Sequence, residues 1–88
     1  MIIYAVNQEM YNGIKTFEYF INRELSEKYL VRLFKKEIAR LKRLKNPPSG
    51  RIESIKKYES DILEIKIKRI FTYGHYITEI DVKEKLKI

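Results

Sequence analysis

Cysteine is absent from the 88-residue chain, and histidine occurs once, at position 75. The missing thiols exclude a disulfide framework, a thiolate metal site and a cysteine nucleophile. With one imidazole, a zinc site would need carboxylates for most of its ligands, so no metal is expected. No Gly-rich phosphate loop or nucleophile elbow occurs, and no bound cofactor is expected. No apolar run approaches the roughly 18 residues of a membrane span, and no leader pattern is visible. The expectation is a cytoplasmic protein with no membrane association. The length suits one domain over residues 1–88. Such a chain buries only about 60–65% of the surface exposed when unfolded, so its core is thin and a covering partner matters.

Charge is plentiful and unevenly placed. Nineteen basic residues face twelve acidic ones, a net charge of +7. Residues 1–22 sum to −1, residues 23–58 to +8 and residues 59–88 to zero. Lysine and isoleucine codons of an AT-rich genome explain the composition, but not this segregation. Concentrated positive charge points to a polyanion, and RNA or DNA is the usual one.

The pattern along the chain predicts a strand over Ile2–Val6, buried on both faces. Asn7 is placed to cap a helix from about Gln8 to Asn22, where Met10, Ile14, Phe17 and Ile21 share one face. Gly13 weakens its first turns. Ser26 offers the next cap, and the clearest helix runs from Glu27 to about Lys45. Its apolar stripe is Leu30, Leu33, Phe34, Ile38, Leu41 and Leu44. Lys28, Arg32, Lys35, Lys36, Lys42 and Arg43 fall within an arc of about 120° on the other side. Asn46-Pro47-Pro48-Ser49-Gly50 ends that helix.

The remainder reads as β. Arg51–Tyr58 suggests a short strand, and Glu59-Ser60-Asp61 a turn. Leu63, Ile65 and Ile67 alternate with Glu64, Lys66 and Lys68 as in a half-buried strand. Ile70, Phe71 and Tyr73 continue after a bulge near Lys68-Arg69. Gly74-His75 fits a two-residue type II′ turn. Tyr76, Thr78, Ile80 and Val82 share a face of the returning strand, and Lys83–Ile88 form a charged tail. The expected fold is α+β, in the order β-α-α-β-β-β, with a helical hairpin packed on a mainly antiparallel sheet.

The chemistry on offer is cationic. Lys56, Lys57, Lys66, Lys68, Arg69 and Lys83, with Lys85 and Lys87, lie on or beside the expected strands. A sheet face carrying several cations holds a phosphodiester and stabilises the charge that develops on cleavage. Tyr58, Tyr73 and Tyr76 are candidate base-stacking residues on that sheet. Glu79 and Asp81 read as cross-strand partners of lysines. His75 reads as a solvated turn residue.

The stretch Asn46–Tyr73, NPPSGRIESIKKYESDILEIKIKRIFTY, resembles the RelE/ParE superfamily of toxins from toxin–antitoxin modules. Asn46, Pro47, Ser49 and Gly50 match its turn. Ile52, Ile55 and Lys56 fit the next strand, Leu63, Ile65 and Ile67 the third, and Arg69-Ile70-Phe71 the fourth. FEYFINRELSEKYLVRLFKKEIARLKRL resembles the family's two-helix hairpin. The resemblance implies a toxin acting on translation, with an antitoxin partner and the ribosome or its RNA as target. It implies Arg69 and Lys83 as catalytic cations for mRNA cleavage, and Lys56 and Lys57 as substrate-positioning ones. The family's C-terminal tyrosine is not matched, because Lys87 or Ile88 stands there. Two alternatives therefore stay open. One is a ParE-like inhibitor of a topoisomerase. The other is a small basic phage or archaeal-virus protein that binds a host nucleic-acid or nucleoprotein complex.

Overall fold

A computed structural model describes residues 1–82. The chain opens with a β-hairpin, β1 (Ile2–Met10) and β2 (Gly13–Phe20). Two helices follow, α1 (Arg23–Arg43) and α2 (Arg51–Leu63), and β3 (His75–Asp81) closes the described chain. The sheet order is β2-β1-β3, with both pairings antiparallel. A helical hairpin thus packs on one face of a three-stranded antiparallel sheet, the α+β architecture expected. The order along the chain differs from the expected one: it is β-β-α-α-β.

The first correction is the expected helix over Gln8–Asn22, which is instead the end of β1, a turn and β2. Ile14, Thr16, Phe17, Tyr19 and Phe20 are β-branched or aromatic, and suit a pleated, half-buried surface. Tyr11-Asn12 make the reversal between the paired Met10 and Gly13, and Gly13 has φ +135°, outside the range of a helical residue. The helical spacing of Met10, Ile14 and Phe17 is coincidental, since a β-bulge between Val6 and Asn7 shifts the β2 register and turns Phe17 inward.

α1 begins four residues earlier than the spacing predicts. Asn22 caps it through a side-chain oxygen that accepts from the Leu25 amide at 2.9 Å. Ser26 is buried inside the helix, its hydroxyl donating to the Arg23 carbonyl. The predicted stripe holds: Leu30, Phe34, Ile38 and Leu41 are buried, with Leu33 and Leu44 half-buried.

The expected strand at Arg51–Tyr58 and the turn after it are both helix. Ile55, Tyr58 and Ile62 recur at spacings of three and four and face the core, while Glu59 and Ser60 lie on the solvent side. Beyond α2 the backbone turns through residues 64–67 rather than extending. Ile65 alone of the alternating residues is buried; Leu63 and Ile67 are more than four-fifths exposed. The fourth expected strand reduces to one bridge, Ile70 to Tyr76. The strands that the family resemblance assigned around Ile52 and Leu63 are therefore helix and turn.

The closing turn spans Phe71–Gly74, with the Gly74 amide donating to the Phe71 carbonyl at 2.9 Å. His75 is the first residue of β3, not part of the turn. Gly74 has φ +82°, and a Cβ there would stand 2.7 Å from the Glu9 carbonyl oxygen. Asp61 fastens this segment to α2. Its buried carboxylate accepts from Lys68 Nζ, the Thr72 amide at 3.0 Å and the Thr72 hydroxyl at 3.1 Å. The core joins Val6, Leu30, Phe34, Ile65 and Phe71 between sheet and helices. Ile38 and Leu41 are buried outside that cluster, in the half of the hairpin nearer its connection. No helix among the described residues is long and apolar enough to cross a membrane.

Candidate nucleic-acid interface

Burial of one stripe of α1 dictates where its cations go. With Leu30, Phe34, Ile38 and Leu41 turned inward, the opposite arc faces water. Lys28, Arg32, Lys35, Lys36, Lys42 and Arg43 are all exposed, as the periodicity predicts. Among the described residues no carboxylate lies within ion-pair distance of the last five, whereas Lys28 meets Glu24 at 3.6 Å. The helix dipole also favours cations at its C-terminal end, where Arg40, Lys42 and Arg43 sit.

The hairpin's connecting end adds a feature the sequence reading divided between helix and strand. Residues 39–57 hold seven basic side chains, Arg40, Lys42, Arg43, Lys45, Arg51, Lys56 and Lys57, against Glu53 alone. The helical hairpin folds this run back on itself. Lys56 and Lys57 project outward from α2, and Lys56, Arg51, Pro47 and Pro48 line a shallow hollow at the end of the hairpin. Arg40 is engaged by Glu37, at 2.9 Å from Nη2 to the nearer carboxylate oxygen. That hydrogen bond and the carboxylate's charge raise the guanidinium's already high pKa. Sequence reasoning missed Arg40, Lys45 and Arg51; the signal was the charge count across the proline turn.

The expected cationic sheet is not found among the described residues. Lys15 is the single Lys or Arg of the three strands, against Glu9, Glu18, Glu79 and Asp81. Lys68 is committed to Asp61, with Glu64 at 3.3 Å, and the Asp61 hydrogen bond raises its pKa. It is thus already engaged as a structural ion-pair partner. Lys66 is exposed beside Glu24, Glu27 and Lys28. Arg69 is exposed and lines a groove with Arg23, Ile70, Tyr76, Ile77 and Glu79. Lys83, its expected catalytic companion, lies outside the described residues, as do Lys85 and Lys87.

The aromatic candidates divide. Tyr58 lies on α2, not on a strand, and packs against Phe34 at 5.4 Å and Tyr73 at 4.7 Å between ring centroids. Burial pushes its phenol up to about 12. The Tyr73 hydroxyl donates to Ser54 Oγ at 2.9 Å. Both rings are occupied, so neither is an open stacking platform; Tyr76 lies on β3. His75 is also corrected, because it is buried rather than solvated. Its ring stacks on Phe17 at 5.8 Å and meets the edge geometry of Phe34 at 5.1 Å. Burial pushes the imidazole pKa down, only partly opposed by Asp61 and Glu37, and Nδ1 has no hydrogen-bond partner among the described residues.

No protein-family model, curated protein or solved structure matches this chain.

Proposed function

We propose that this protein binds the phosphate backbone of a nucleic acid through the outer face and connecting end of its helical hairpin, and acts by occupying that target. The observation that carries this reading is the excess of six positive charges over residues 39–57, where Lys42, Arg43, Lys45, Lys56 and Lys57 are exposed, Arg51 is half-buried and Arg40 is paired with Glu37, a run continuous with the cationic arc of α1. Exposed, unpaired lysines and arginines gain affinity by releasing condensed counterions, and do so without reading sequence. Ribosomal RNA and messenger RNA in the cytoplasm are the targets to test first.

Binding should weaken steeply with salt. Reversing Lys42, Arg43 and Lys45 to glutamate should abolish detectable binding near physiological salt. The triple alanine variant should flatten the slope of log affinity against log salt by about 2 on single strands and nearly 3 on duplex. Fluorescence anisotropy against labelled RNA and DNA across a salt series measures both. Binding that is absent at low salt, or indifferent to these changes, would remove the reading.

A second reading follows from Arg69 and Arg23, whose guanidinium-bearing side chains line one groove. Arg69 beside a phosphodiester, with Arg23 held by Glu27 at 3.3 Å, suits the cleavage chemistry implied by the toxin resemblance, for which an antitoxin would be the neutralising partner. Arg69→Ala should then cost on the order of a hundredfold or more in cleavage of ribosome-bound mRNA, far more than Lys36→Ala. Equal losses would assign the effect to diffuse attraction.

A further inference from the structure

The helices pack on one face of the sheet; on the other face Ala5 and Asn7 of the central strand are buried by their neighbours, Ile3, Tyr76 and Ile80 are half-buried, and Ile14, Thr16 and Tyr19 of β2 are exposed. We infer that this open face is the interface of a homodimer in which two copies pack sheet against sheet. The inference is independent of the nucleic-acid reading.

Strand register defines the face. Asn7 pairs with Thr16 on β2 and Tyr76 on β3, Ala5 pairs with Tyr19 and Thr78, and Ile3 pairs with Ile80. Paired residues share a side of a sheet. Phe20 and Val6, of opposite parity, pack into the helix-side core. The open side therefore presents Ile3, Ile80, Tyr19 and Tyr76, with Ile14 beyond them, around a polar centre.

That centre is already satisfied. Thr16 Oγ1 donates to Asn7 Oδ1 at 2.8 Å, and Asn7 Nδ2 donates to Thr78 Oγ1 at 3.0 Å. A hydrogen-bonded line thus crosses all three strands, and covering it leaves these groups paired. Tyrosine suits such a place, since its ring is buried while its hydroxyl keeps a polar contact.

Charge selects a second copy as the occupant. The chain is +7, yet among the described residues the strand positions of this face include no lysine or arginine, and their one charged residue is Glu9 at the end of the β-hairpin. A face without charge needs no counter-charge from its partner and is complementary to itself, as a two-fold interface requires. Packing sheet to sheet sets the two basic hairpins on opposite outer sides. With about 10 Å between packed layers, they stand some three layers apart, beyond the Debye length of about 8 Å. The β2 edge is a poorer route to association, because Glu18 accepts the Tyr19 amide there at 3.1 Å. Three strands about 4.8 Å apart and about seven residues long present a plane of about 330 Å² per copy, about 700 Å² in a pair, the size of a weak contact rather than of an obligate interface. A weak, concentration-dependent dimer follows.

Sedimentation equilibrium of nuclease-treated full-length protein tests this. The expected result is a monomer–dimer equilibrium that persists from about 0.1 M to about 1 M salt, the reverse of the behaviour of polyanion binding. Tyr19→Glu and Ile14→Glu change exposed side chains, and circular dichroism checks that each remains folded. Each should raise the dimer dissociation constant at least about thirtyfold. Lys42→Glu should leave it unchanged. A monomer at every concentration, a dimer dissolved by salt, or a dimer indifferent to both folded variants would overturn the inference. None of these outcomes bears on hairpin binding, which is read by its own salt slope.

Discussion

Burial holds the His75 imidazole neutral between Phe17 and Phe34, and this has a consequence in acid. The folded-state pKa lies below the unfolded one, so the unfolded chain takes up the proton first. Stability is therefore fully present above about pH 6.5 and is lost as pH falls through the depressed value. Urea denaturation at pH 7.5 and pH 5 should show this loss. His75→Phe, which keeps a ring in the same place, should flatten the difference. A variant with an unchanged pH slope would show that other groups set acid stability. The burial of His75 was not legible in the sequence, where Gly74 gave it the look of a turn residue. Phe17 and Phe34, its ring neighbours, come from β2 and α1 and are far from it along the chain. The cations on the outer arc of α1 were legible, because a helix with one apolar stripe leaves a single side for them. The role of Lys68 was not, since it depends on Asp61 being buried beneath it.

At the level of elements, α1 could be read because its stripe is long and regular, and the α+β class could be read because apolar β-branched segments flank it. The first hairpin was obscured by a chance 3–4 spacing over a stretch that a bulge distorts. α2 was obscured because Ile52 and Ile55 next to a proline turn look like a strand. Its helical stripe emerges only when Tyr58 and Ile62 are counted with Ile55. Gly74 offers a prediction at this scale. Gly74→Ala meets both a left-handed backbone and the Glu9 carbonyl oxygen, whereas Gly13→Ala meets an unfavourable φ and open space. Backbone strain of this kind costs about 1–3 kcal/mol. Thermal or urea melts should show Gly74→Ala as the costlier change by about 1 kcal/mol or more. Equal losses would mean that the β1 backbone yields to the added methyl.

Over the whole molecule, which measures 53 × 28 × 18 Å, charge and apolar surface are sorted to different places. The strands are acidic on balance and the hairpin is basic. An approaching polyanion therefore turns the protein hairpin-first, and association with RNA should slow with added salt as well as weaken, which stopped-flow anisotropy measures. The position of β1 has a kinetic consequence. It pairs with the next strand along the chain and also with the last one described, so its two edges are closed by events of very different sequence separation. The β1–β2 hairpin and α1 can assemble from neighbouring residues, while β3 must return across some seventy residues to pair Gln8 with His75 and Ile2 with Asp81. Loop closure makes such pairing the late step. Ile77→Val in β3 should speed unfolding and leave the refolding rate nearly unchanged, whereas Val6→Ala in β1 should slow refolding. Until β3 arrives, the central strand of the finished sheet is an edge strand. In that interval it is open to pairing with another chain, and the order of assembly, more than final stability, sets this protein's exposure to misassembly.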